Sequence, residues 1–302
     1  MLRRHVPVLL VLVLLVLGCL ARTKLFLPAE RQTLGITSEN SPVMDEETGA
    51  LTSYISDSSV YEEVFESTSI PSKETVKAGV VAHHLLAAKL IASFYAGIDI
   101  TTIKTVVVVS PDHFQKITPP TLAVTTPFFW RTPFGVVEAN KDLTMKLAGL
   151  EKVQVQTVLF YNEHGISLHP PFIRYYLPQA KIVPLVLSQV GSFEYYQMLG
   201  KTVADTLNPS ETLVIISSDF SHNETKAGSE AKDRKSIEWL TSMDVDAINK
   251  ITCDCRQCFA FLLGYLEDEQ TTFHLQNNKN STDFGGEDKD VTSYVSGYFV
   301  KE

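Results

Sequence analysis

Three apolar runs in this chain, Ala78 to Ala82, Thr105 to Val109 and Leu213 to Ile216, each stop at a short polar tip that carries histidine. The tips read His83-His84, Ser110-Pro111-Asp112-His113 and Ser217-Ser218-Asp219-Phe220-Ser221-His222. Short continuous Val/Ile runs with polar ends are strands buried on both faces, as in parallel sheets covered by helices. Open α/β sheets bind ligands in the crevice beyond the carboxyl ends of such strands. The pattern predicts an α/β fold in which His84, His113 and His222 meet in one crevice. Imidazoles converging there bind a transition metal through neutral nitrogen. One histidine at a strand end is ordinarily a hydrogen-bonded structural residue; three after the same kind of run, among only eight in the chain, favour a site.

Composition narrows the function classes. With 302 residues, 44% hydrophobic and 20% charged, the chain can bury one sizeable core, so one main domain is expected. A net charge of −9 and a pI near 5.4 exclude a nucleic-acid surface, which needs a basic face. A small-molecule or peptide ligand is expected instead. Neither G-x-x-x-x-G-K-[ST] nor G-x-G-x-x-G occurs, which disfavours nucleotide chemistry.

The first 21 residues stand apart. Arg3 and Arg4 precede an uncharged apolar stretch from Val6 to Leu20, the pattern of a signal peptide. A full span usually takes about 20 apolar residues, so a cleaved signal, a lipoprotein signal with Cys19 as the lipidated residue, and an uncleaved membrane anchor all stay open. Each places the rest of the chain outside the cytoplasmic membrane, secreted or membrane-anchored. Residues 22–76 read as a polar linker, with Ser41-Pro42 and Asp45-Glu46-Glu47 solvated and one amphipathic helix over Tyr54 to Phe65. The α/β domain is expected over 77–302, with further strands at Glu151 to Leu159, Lys181 to Leu187 and Val291 to Val300. Helices are expected at Leu85 to Tyr95, Phe193 to Leu207, Lys232 to Met243 and Cys258 to Leu266.

Two further places carry chemistry. Asn162-Glu163-His164, with His169 beyond, sets a carboxylate beside an imidazole at another strand exit; catalysis and helix capping weigh equally there. Cys253-Asp254-Cys255-Arg256-Gln257-Cys258 holds three thiols, which suit either one disulfide with a free thiol or a three-thiolate metal site.

The segments Val80-Val81-Ala82-His83-His84, Ser110-Pro111-Asp112-His113, Thr132-Pro133-Phe134-Gly135, Asn162-Glu163-His164, Ile182-Val183-Pro184 and Ser217 to His222 resemble, in order and spacing, the MEMO family. That family includes the AmmeMemoRadiSam system protein B. The resemblance implies an α/β fold similar to the class III extradiol dioxygenases, with a central sheet flanked by helices. It also implies a mononuclear site for iron(II), with copper or zinc as other candidates, and a functional link to a radical SAM protein and an AMMECR-type protein. By position, His84 and His113 are the implied metal histidines and His222 the third pocket histidine, placed for proton transfer. Glu163 and His164 would orient the bound molecule.

The dioxygenases take a Glu as third ligand, whereas MEMO proteins have a Cys in a Cys-Gly-x-x-Pro pattern, which this chain lacks. The matching place is Cys253, Asp254 or Cys255. His83 stands where the family usually has Pro, and the Ala-Gly-x-Trp-Tyr element is missing. Three function classes follow: an iron-dependent oxidoreductase, a non-catalytic metal-handling or peptide-binding module tethered to the membrane, and zinc hydrolysis with Glu163 as base. The last is disfavoured because no H-E-x-x-H helix occurs.

Overall fold

The computed structural model describes residues 44–45, 50–68 and 74–301. The expected signal segment and the first part of the linker lie outside them. Among the described residues no helix is long and apolar enough to cross a membrane.

An eight-stranded sheet organises the chain. In spatial order its strands are β11 (Thr271–Asn280), β12 (Ser293–Lys301), β3 (Val76–Val81), β10 (Thr212–Ser217), β4 (Thr105–Pro111), β9 (Lys181–Leu187), β5 (Ala123–Thr125) and β8 (Val153–Val155). The three runs that end in histidine tips are thus neighbours. β3, β10, β4 and β9 run parallel, with Val214 beside Ala78 and Val107 and with Val107 beside Val183. β12 joins β3 antiparallel, β11 joins β12 antiparallel, and β5 returns antiparallel to β9.

Alternation along the central strands sorts their side chains into two cores. Val106, Val108, Leu213, Ile215 and Ile182 face one side. There they meet Tyr61 and Phe65 of α1 (Ser59–Glu66), Ile91 and Tyr95 of α2 (Ala88–Ala96), and, past α3 (Lys141–Ala148) and α4 (His164–Ser167), Phe172 of α5 (Pro170–Tyr176). Val107, Val109, Val214, Ile216 and Val183 face the other side. They pack on Tyr196 and Leu199 of α6 (Phe193–Thr206), Trp239 of α7 (Lys226–Ser242), and Phe259 and Leu262 of α8 (Arg256–Tyr265). Burial on both faces is why these strands read as unbroken apolar runs.

Several boundaries differ from the sequence expectation. The linker expected over 22–76 does not describe 50–68. β2 (Ala50–Thr52) pairs with β6 (Trp130–Thr132), which forms a hairpin with β7 (Gly135–Val137); β1 (Met44–Asp45) lies outside β2. Leu51, Tyr61 and Phe65 are buried, so this stretch belongs to the folded body. The expected helix over Tyr54 to Phe65 forms only from Ser59, and Glu151 to Leu159 is a strand only at β8, giving way to a 3-10 turn at Thr157–Tyr161. α7 starts six residues before the expected Lys232, because the Thr225 side chain caps it by accepting from the Gly228 N–H.

Candidate metal centre

The site lies where the parallel strands β3, β4 and β10 end. His83 follows β3, His113 follows β4, and Ser217 closes β10 with Ser218 and Asp219 after it. Asp254 arrives from the turn before α8. Its backbone N–H donates to the Asp219 carbonyl, and its side chain receives the Ser218 hydroxyl at 2.6 Å and the Asp219 N–H at 3.2 Å.

Three donor atoms converge. His83 Nε2 and His113 Nε2 lie 3.1 Å apart, and Asp254 Oδ2 stands 3.0 Å from the first and 3.6 Å from the second. His164 joins them: its nearest ligating atom and those of His83 and His113 all lie within 4.8 Å of one another. The His164 ring centroid is 4.0 Å from that of His113 and 5.2 Å from that of His83.

Both converging imidazoles are held from behind. Glu163, fully buried, receives His113 Nδ1–H at 2.6 Å and the His113 backbone N–H at 3.1 Å, and caps α4 through the Gly165 N–H at 3.0 Å. Glu163 is acceptor-only, so His113 keeps its proton on Nδ1 and turns Nε2 inward. Glycine at 165 lets α4 approach β4 closely: a Cβ there would sit 1.9 Å from Ser110 Oγ and 3.1 Å from His113 Cε1, so both side chains would have to shift. His83 Nδ1 contacts Ser217 Oγ at 3.0 Å, and its backbone N–H donates to Asp219 Oδ1.

The charges follow from this packing. Burial works against a charged His113, yet its hydrogen bonds to Asp254 and Glu163 and their charges push it up to about 10. His83 is also raised, because the charges of Asp219 and Asp254 outweigh its burial. Burial alone would raise Asp254, but His83 and His113 hold its carboxyl well below the ordinary carboxylate range. Burial, together with the charges on His83 and His113, pulls His164 down to about 2, so it stays a neutral base.

The donor set fits a metal ion. Bonds of about 2.0–2.2 Å set adjacent ligand atoms roughly 2.8–3.6 Å apart, from octahedral to tetrahedral geometry. The three separations of 3.0, 3.1 and 3.6 Å fall within that range. Without a metal, protons on the two imidazoles satisfy Asp254; with both Nε2 atoms deprotonated, the same three atoms make the two-histidine, one-carboxylate ligand set of non-haem iron(II) sites with open positions.

The other sequence-expected residues lie around this cluster. His84, beside His83 at a strand exit, turns away to place Nδ1 2.6 Å from the Tyr294 hydroxyl. His222 is 40% exposed at the side chain, with Nε2 4.0 Å from Asp219 Oδ2. Cys255 is bonded to Cys258, which occupies its sulfur, and Cys253 keeps a free thiol raised by burial. The disulfide with one free thiol is therefore the arrangement present. Sequence reasoning passed over His83, which it read as a departure where Pro is usual, and held Asp254 only as one of three places. The doubled His83-His84 at a strand tip and an Asp between two cysteines were the available signals.

A cavity of about 610 Å³, lined by Met198, Met243, Leu263 and Leu266 together with the charged Glu194, Lys201, Glu267 and Glu269, lies apart from these residues and contains no histidine or cysteine.

Comparison with known proteins adds the lineage. The profile of the family described as Memo-like protein matches residues 49–298. A MEMO1 family protein of Pyrobaculum aerophilum is 30% identical over 65% of this chain and 72% of its own. One of Caldivirga maquilingensis is 26% identical over 66% of this chain and 73% of its own. Among solved structures, an uncharacterized protein of Escherichia coli K12 aligns over 72% of this chain and 98% of its own, at 11% identity and a TM-score of 0.46.

Proposed function

The chain belongs to the Memo-like protein family, and from that premise we propose that it binds one divalent metal through His83 Nε2, His113 Nε2 and Asp254 Oδ2. The observation that carries this reading is the meeting of two inward imidazole nitrogens and one carboxylate oxygen within 3.6 Å. Asp254 stands at one of the places where the family resemblance implies a cysteine. A carboxylate there moves the set towards iron(II); copper and zinc, which also accept imidazole, come next.

We propose an oxidoreductase of the iron-dependent kind as the activity. Bound iron(II) would supply open positions at which a substrate and dioxygen exchange electrons. The chain does the rest. Glu163 orients His113, and Ser218 with the Asp219 N–H orients Asp254. Neutral His164, at the partly exposed side of the cluster, can orient a bound molecule through its free ring nitrogen. His222, 40% exposed beside the buried Asp219, lies at the rim, where it can meet a ligand's polar groups. The ligand itself is a small molecule or a peptide. A second reading is metal or peptide binding without turnover, which the same ligand set would serve equally.

An extracytoplasmic, membrane-tethered location is supported by the arginine-flanked apolar stretch and by the Cys255–Cys258 bridge, because disulfides persist in oxidising compartments. The functional link to a radical SAM protein and an AMMECR-type protein rests on family resemblance.

Elemental analysis of the protein purified without oxygen or chelator tests the proposal. Near-stoichiometric metal that is lost in both His113→Ala and Asp254→Ala is expected. Absence of metal after reconstitution with iron(II), copper and zinc would overturn it. Metal without oxygen consumption across a panel of catechols would favour the second reading.

A further inference from the structure

His83 can present Nε2 to a metal only while Nδ1 carries the ring proton, and buried groups decide where that proton sits. Ser217 Oγ, fully buried, has three partners: the Gly165 carbonyl oxygen at 2.6 Å, His83 Nδ1 at 3.0 Å and His169 Nε2 at 3.0 Å. A hydroxyl offers one proton and two lone pairs. The carbonyl can only accept, so the hydroxyl proton goes to Gly165. Both imidazole nitrogens must then donate to Ser217.

His169 completes the chain. It is fully buried on the loop that opens α5, and burial keeps it neutral. With its proton on Nε2, Nδ1 is left to accept the Tyr95 hydroxyl, which lies 3.0 Å away. The Tyr95–His169–Ser217–Gly165 order thereby places a proton on His83 Nδ1 and makes Nε2 the nitrogen that faces Asp254 and His113, where a metal would take the place of any proton on it.

We propose that His169 and Ser217 are positioning residues of the metal centre, acting through His83 by fixing which of its nitrogens faces the ion. The inference rests on the ligand set proposed above. Partners that orient a ligating histidine typically contribute 10–100-fold in metal affinity.

The test is cobalt(II) binding to the full chain, read by chelator competition and by the visible d–d bands of the bound ion. Ser217→Ala and His169→Leu should each lose about 10–100-fold in affinity and shift those bands. His169→Gln, which keeps an N–H donor towards Ser217, should recover most of both, a rescue that a merely space-filling role would not give. If His169→Leu does not fold, the smaller Ser217→Ala change carries the test. Wild-type affinity and spectrum in folded Ser217→Ala would overturn the inference while leaving the ligand set standing. Failure of the wild type to bind cobalt would instead overturn the ligand set.

Discussion

Glu163→Gln is nearly isosteric, yet the surroundings of Glu163 leave an amide no good orientation. The carboxylate receives three N–H groups: Oε1 takes His113 Nδ1–H at 2.6 Å and the Gly165 N–H at 3.0 Å, and Oε2 takes the His113 backbone N–H at 3.1 Å. An amide has one acceptor oxygen and one donor NH2. With its oxygen at the Oε1 place, the NH2 opposes the His113 backbone N–H, and a buried donor left unsatisfied costs about 1–3 kcal/mol. With the amide turned over, the NH2 faces His113 Nδ1, which must become the acceptor. The ring proton then moves to Nε2, pointing into the cluster where the ion would bind. Either way the variant should unfold with a stability lower by about 1–3 kcal/mol. Metal affinity should fall by about 10–100-fold, the usual cost of disturbing a partner that orients a ligating histidine. Urea unfolding measures the first and chelator competition with zinc or cobalt the second. Wild-type metal affinity in a folded Glu163→Gln protein would refute the orienting role, even if stability fell.

Two other perturbations have worked-out signs. The Cys255–Cys258 bridge closes a three-residue separation next to Asp254, and Cys255 caps α8; loop entropy gives about 2 kcal/mol for a loop this short. Cys258→Ser, or reduction by a dithiol, should lower the melting temperature and weaken metal binding together, and a bridge-free protein unchanged in both would contradict this. Burial pushes Asp233 up to about 6 from 3.8, although the Ser293 hydroxyl donates to it at 2.6 Å. Its folded pKa is the higher one, so the folded state holds the extra proton and stability falls as pH rises from about 4 to about 6. Asp233→Asn should therefore be the more stable protein above pH 7, by up to about 3 kcal/mol, with the advantage gone below about pH 4. Thermal melts across that range check it, and a pH-independent difference would rule the cause out.

Much of the fold was legible because the signals were long or doubly buried. β3, β4, β9 and β10 read as apolar runs since helices cover both faces, and their shared carboxyl ends located the site. The strands of β2, β6 and β7 are three residues each, too short to show a period of two. β11 carries exposed polar residues at the sheet edge, so no apolar alternation marked it. Within the site, His113 was legible from its strand exit. The sequence pointed to His84, whereas His83 is the one that faces the cluster, because neighbouring residues on an extended backbone point to opposite sides and a shift of one exchanges them. Asp254 depends on the turn before α8, whose geometry is set by backbone pairing to Asp219, 35 residues away, a contact no local pattern records.

The ligand set is tested most directly by an anomalous-difference map from a crystal grown with iron(II) under nitrogen, with data on both sides of the iron edge. One peak bonded to His83 Nε2, His113 Nε2 and Asp254 Oδ2 is the expected result. A peak held by His84 or His222 instead, or no peak within reach of Asp254, would contradict it.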